Sequence, residues 1–195
     1  MTKAERTRQF IIEQAAPIFN KKGIAGTAIS DIMEATKLAK GGVYGNFESK
    51  DEICLEAFSY LTKSLSTAIN QSMEGKASAK EKLFALLDFY SGRLTKSNTG
   101  GCPILNFGTE ADDTNPVIKQ KVKEAIAASQ NRIATVVKQG LEAGKFKKTF
   151  DPETFAIKMF TMIEGAILIS RVQGSNDHMK LITGMLKAEI EQNSN

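Results

Sequence analysis

The chain of 195 residues holds one histidine, His178, and two cysteines, Cys54 and Cys102. Two thiols cannot build a disulfide framework, and they show no metal-ligand spacing. A zinc site or a serine–histidine–aspartate triad would have to be assembled around His178, and its sequence neighbours offer nothing for one. Catalysis by metal or histidine is therefore not expected, and no cofactor is expected. No apolar run reaches the roughly 18 residues of a membrane span, so no membrane partner is expected. Residues 1–9 are polar, carry Lys3, Arg6 and Arg8, and lack the apolar stretch of a secretory signal. That points to the cytoplasm. Strand-like alternation and Asn-Gly or Asp-Gly hairpin turns are also missing, which argues against β structure.

What the sequence does contain is helical periodicity from end to end. A first helix is expected over 3–21, with Phe10, Ile11, Ala15, Ile18 and Phe19 on one face and Lys22-Gly23 as its stop. Thr27 is the expected cap of a short helix over 28–36. A third short helix follows over 39–46. Ser49 and Glu52 read as a capping box that opens a long helix over 50–74, whose stripe is Cys54, Phe58, Leu61, Leu65 and Ala68. Further helices are expected over 79–97, 104–111, 116–143, 152–173 and 177–192. Ser97-Asn98-Thr99-Gly100-Gly101-Cys102-Pro103 breaks the fifth from the sixth. The spacing thus predicts an all-α chain of nine helices, divided into residues 1–49 and 50–195.

Charge is spread unevenly. Residues 1–50 carry eight Lys or Arg against five Asp or Glu, which puts three of the chain's four net positive charges in its first quarter. A basic end on a near-neutral body suits a polyanionic partner. Within that end, two short helices joined by a tight turn make a helix-turn-helix skeleton, whose second helix enters the major groove of double-stranded DNA. Helices this short need a floor. Phe10, Ile18, Phe19, Ile29, Ile32, Val43 and Phe47 are the candidates for that small core.

The segment Gly23, Thr27, Asp31-Ile32, Lys40-Gly41, Val43-Tyr44, Phe47 and Ser49-Lys50 closely resembles the TetR family of bacterial regulators. The resemblance implies an N-terminal three-helix reader and a C-terminal helical body that dimerises and binds a small molecule. Two departures stand out. Lys37 occupies the turn position where the family usually has Gly, and Ala39 stands where Ser usually caps the recognition helix. Each is expected to cost about 1 kcal/mol.

DNA contact is expected from Thr27, Lys37, Leu38, Ala39, Lys40, Gly41, Gly42, Tyr44, Asn46 and Lys50. Lys37, Lys40 and Lys50 are candidates for phosphate neutralisation, and Thr27 for a phosphate at a helix start. Asn46 is the side chain there with bidentate capacity for a base, and the resemblance implies that Tyr44 packs its ring in the domain. The bland readings stay open for Thr27 as cap only, Tyr44 as core only and Lys50 as a solvated lysine.

A single reader makes few base contacts, so a homodimer on two half-sites is expected. Its interface is assigned to Phe160, Ile163, Ala166, Ile167, Ile182, Met185 and Leu186 on the last two helices. The family pocket implies a small-molecule effector of unknown identity among Phe84, Phe89, Tyr90, Phe107, Met159 and Met162, against plain core as the alternative. Glu110 or Glu164 would receive a cationic group. Cys102, with Lys96 near it in sequence, is a possible thiol sensor. The expected function is a repressor released from its operator by a ligand. The alternatives are a cysteine-based redox or electrophile sensor and, in another class, a helical enzyme using Cys102 with Glu110.

Overall fold

The structure, a computed structural model, describes residues 1–96 and 100–195. The described residues form nine helices: α1 (Lys3–Lys22), α2 (Ile29–Thr36), α3 (Lys40–Tyr44), α4 (Lys50–Met73), α5 (Ala79–Lys96), α6 (Pro103–Ala111), α7 (Pro116–Glu142), α8 (Pro152–Gln173) and α9 (Asp177–Gln192). Among the described residues the one β feature is an isolated bridge between Phe146 and Ser194. The expected break at Ser97-Asn98-Thr99 and the nearness of Lys96 to Cys102 lie outside the described residues.

The chain packs as two compact units. The first comprises Met1–Leu65 and the described part of Asn98–Val122; the second comprises the described part of Ser66–Ser97 and Lys123–Asn195. The packing therefore divides inside α4, rather than at residues 49 and 50.

In the first unit α1 buries Ile11, Ile12, Ala15, Ala16 and Phe19. Ile32, Val43 and Phe47 close over them from α2, α3 and the segment after α3. Phe10 was expected in this core but is 41% exposed; the inward stripe of α1 runs one position later. From α4, Ile53, Cys54, Ala57 and Phe58 are buried, and Phe58 meets Phe107 of α6 with ring centroids 5.0 Å apart.

In the second unit α8 opens on Asp151, whose carboxylate accepts the Thr154 N–H at 2.6 Å, and on Pro152 at the first helical position. The helix buries Phe155, Met159, Phe160, Ile163, Ala166 and Ile167 within the protomer itself. This corrects the expected dimer face. Phe160, Ile163, Ala166, Ile167 and Leu186 are core, and Ile182 is half-buried. Of the seven, Met185 alone points out, at 54% exposure. The outward apolar stripe is Ile157, Leu168, Ile169 and Val172 on α8, with Leu181 and Met185 on α9. A Cβ built at Gly165 or Gly184 meets nothing within 4 Å.

Of the residues expected to line an effector pocket, Phe84, Phe89, Tyr90, Met159 and Met162 belong to the second unit. Phe107 belongs to the first unit. Phe84 carries the ammonium groups of Lys80 and Lys187 over its ring, at 5.5 and 5.2 Å from the centroid. Tyr90 and Met159 are buried, Phe89 and Met162 are half-buried, and Phe89 meets Tyr90 edge-on. A groove of about 650 Å³ in this unit is lined by Thr67, Asn70, Met73, Lys76, Lys82 and Gln139 among others, and by none of the six.

Candidate nucleic-acid interface

The reader begins where α1 ends. Gly23 terminates α1 at φ 81, ψ 174, with its N–H on the Phe19 carbonyl at 2.9 Å. That backbone region is essentially reserved for glycine. It is a different conformation from the left-handed one a helix-stopping glycine usually takes.

Thr27 does not cap α2. The N-cap is Ala28, which has no side-chain acceptor, and the Thr27 hydroxyl donates to the Gly23 carbonyl at 2.6 Å while the residue is 1% exposed. Asp31 supplies the cap instead by accepting the Ala28 N–H at 2.9 Å, and it pairs with Lys22 at 2.7 Å. The Lys22 hydrogen bond, then the Ala28 amide, hold the Asp31 carboxyl below its ordinary range. The expected phosphate contact from the Thr27 side chain is therefore replaced by an internal bond that shapes the α1–α2 loop.

Lys37 makes the turn into α3 in the left-handed conformation, φ 59 and ψ 23, as its place in the motif predicts. Ala39 is the N-cap of α3 and makes no side-chain cap bond. α3 is only five residues long. Its outer surface is Lys40, Gly41 and Tyr44, flanked by exposed Lys37 and Ala39 and half-buried Leu38 and Gly42. Tyr44 is 39% exposed, with the Lys40 ammonium 5.9 Å from its ring centroid, so its ring lies at the surface. A Cβ at Gly41 would enter open space. Asn46, expected to read a base with its whole amide, donates its Nδ2 to the Gly42 carbonyl at 2.8 Å. That bond spends one of the amide's two hydrogens inside the reader.

Lys50 is also reassigned. Its ammonium donates to the carbonyls of Ile24 and Thr27, at 2.9 and 3.0 Å. The lysine staples the α1–α2 loop to the start of α4. Replacing it with Met should therefore destabilise the fold by about 1–2 kcal/mol, the scale of hydrogen bonds from a charged group that is half exposed. The salt dependence of DNA binding should stay as in the parent. Urea melts and a salt titration check both. An intact melting curve with a salt slope lower by about one would restore the phosphate role.

Ser49 caps α4 as expected, accepting the Glu52 N–H at 3.1 Å. Glu52 does not complete the box on Ser49; its carboxylate accepts the Glu48 N–H at 2.7 Å and pairs with Arg8 at 2.6 Å. Two further residues carry the geometry and were not read as part of the reader. Arg8 joins α1 to the end of α3 and the start of α4. Glu110 of α6 accepts the N–H groups of Ile24 and Ala25, both at 2.5 Å. That carboxylate is thus occupied by the α1–α2 loop, which corrects its reading as a receiver of ligand cations or as a catalytic acid. Beside it, Asn20 donates to the Gly101 carbonyl at 3.1 Å, and Asn106 donates to the Asn20 carbonyl at 2.9 Å.

Cys102 stands at the N-cap of α6 with Pro103 after it, 5% exposed. Cys54 is buried as well, and burial first of all pushes its thiol up to about 12. A reactive thiol needs the opposite environment.

Exposed cations at Lys37 and Lys40 around a short, small-residue helix suit a phosphate-lined groove. The chain is similar to known proteins over its whole length. A family model described as bacterial regulatory proteins, tetR family, matches residues 11–57, and one described as tetracyclin repressor-like, C-terminal domain, matches residues 79–186. A TetR transcriptional regulator from Chloroflexus aurantiacus is 34% identical with a TM-score of 0.94, covering 100% of this chain and 98% of that one. A TetR-family regulator from Cytophaga hutchinsonii is 36% identical with a TM-score of 0.93, at the same coverages. The transcriptional repressor DhaR of a Mycobacterium strain is 23% identical over 194 residues, covering 96% of this chain and 94% of its own.

Proposed function

Because the chain belongs to the TetR family of bacterial regulatory proteins, and so is a helix-turn-helix DNA-binding transcriptional regulator, we propose that it is a cytoplasmic repressor. It acts as a homodimer on a two-fold operator and is released by a small-molecule effector. Residues 1–49 serve as reader and 50–195 as the effector-binding and dimerising body. Lys37 and Lys40 neutralise phosphates, while Leu38, Ala39, Gly41, Gly42 and Tyr44 face the base edges.

The observation that carries this reading is the solvent-facing α3, which opens on exposed Lys40 just after exposed Lys37. The outward stripe of α8 and α9 supports the dimer. Leu168, Val172, Leu181 and Met185 are at least half exposed in the protomer. Large contiguous apolar surface on a soluble protein marks an interaction site. A homodimer on a two-fold operator has to meet successive major-groove segments about 34–36 Å apart.

The test is a gel shift with DNA flanking the protein's own gene, competed with random duplex. A discrete complex that outlasts a large excess of competitor is the expected result. Complexes lost equally to both DNAs would reduce the protein to a non-specific binder. A reporter placed behind the bound fragment then separates repression from activation.

A further inference from the structure

Lacking a side-chain cap at Ala39, carrying glycine at positions 41 and 42 and ending on Gly45, α3 is a poor helix by its own sequence. Val43 anchors its middle in the core. What fixes its far end is Arg8 of α1. One guanidinium nitrogen donates to the Asn46 carbonyl at 2.5 Å, and the other to Glu52 at 2.6 Å and Glu56 at 3.1 Å. The guanidinium carbon lies over the Phe47 ring, 4.1 Å from its centroid. Asn46 in turn reaches back to Gly42 in α3. The Arg8 bond, then the Glu48 amide, hold the Glu52 carboxyl below its ordinary range, so the acceptor stays charged.

We propose that Arg8, outside the helix-turn-helix itself, is the positioning residue that sets the pose of α3 for base reading, through Asn46 and the Glu52–Glu56 pair. The inference rests on the DNA-reading function argued above. Three acceptors and a stacked ring around one group need a planar fork of several donors. An ammonium on a flexible stem cannot serve all of them at once. Arg8 itself spends its charge on carboxylates and does not count toward the phosphates.

The experiment is fluorescence anisotropy with the bound gene-flanking fragment and with random duplex, each over a range of salt. The proteins are the parent, Arg8→Lys, Glu52→Gln and the double variant. Arg8→Lys should lose about tenfold in affinity for the fragment, with random-duplex affinity and both salt slopes unchanged. Rescue by the conserved charge should fail, and the double variant should cost less than the two singles added. An equal loss on both DNAs with a slope lower by about one would make Arg8 a phosphate contact and overturn the proposal. A lower melting temperature with an unchanged ratio of fragment to random affinity would make it merely structural, with the same consequence. Should Arg8→Lys not fold, Glu56→Ala removes the longest of the three bonds; a reduced ratio supports the proposal and an unchanged one overturns it. If the parent itself fails to prefer the fragment, the operator reading falls, and Arg8 is not at fault.

Discussion

Leu181→Arg should turn the proposed homodimer into monomers and cut operator affinity by about a hundredfold or more, the scale lost when two linked half-site contacts become independent. Leu181 is 63% exposed in the protomer, so an arginine there meets water and leaves the protomer core intact. Across a dimer axis, however, it would bring a charge into an apolar contact, close to its own symmetry mate. Leu168→Arg, on the facing stripe at 50% exposure, should behave alike. Ala166→Arg is the contrast. Ala166 is 3% exposed, and a guanidinium in that space unfolds the second unit rather than merely parting protomers. Sedimentation, circular dichroism and anisotropy separate the cases. Leu181→Arg should stay helical, sediment as a monomer and keep weak, salt-sensitive binding to random DNA. A helical, fully dimeric Leu181→Arg would place the dimer interface elsewhere on the chain.

That contrast shows what the sequence can and cannot convey. Helix existence is a local matter of period, caps and stops, and all nine helices stand where the pattern puts them, within a residue or two at their ends. The reader is equally legible, because its turn and its apolar positions lie within about thirty consecutive residues. The inward face of α8 is not. Its apolar residues occupy more than one side, so periodicity alone cannot say whether Ala166 or Leu168 faces the core. The neighbours α5 and α9 decide it.

Charged partners fail for a different reason. Arg8 meets Glu52 from 44 residues away, and Glu110 meets Ile24 from 86. No spacing rule links such positions, so Lys50 reads as a phosphate contact and Glu110 as a group for a ligand when both hold backbone. Thr27 failed by a single residue. The cap fell on Ala28, and Asp31 supplied the acceptor that Thr27 had been expected to offer.

The loop that Glu110 holds gives the other large effect. Gly23→Ala should destabilise the reader by about 1–3 kcal/mol from backbone strain alone, since φ 81 with ψ 174 is a glycine region. A second penalty adds to it. The new Cβ would lie 2.6 Å from the Glu110 Oε2, forcing the carboxylate off the Ile24 and Ala25 amides. Glu110→Ala alone leaves those two amides to water, at a cost of about 2–3 kcal/mol for two partly exposed, charge-assisted bonds. Glu110→Gln should fall between, because its oxygen can accept one N–H while its amide nitrogen, a donor, faces the other. The two sites share the same hydrogen bonds, so the double variant Gly23→Ala with Glu110→Ala should cost less than the sum of the singles. Both variants should weaken operator binding by about tenfold or more, at 1.4 kcal/mol per decade, because the loop sets where α2 and α3 leave α1. Denaturant melts of the four proteins give the cycle, and anisotropy gives the DNA arm. Strictly additive melts would mean that the carboxylate does not meet the loop in solution. Additive melts with unchanged operator affinity would remove Glu110 from the reader altogether.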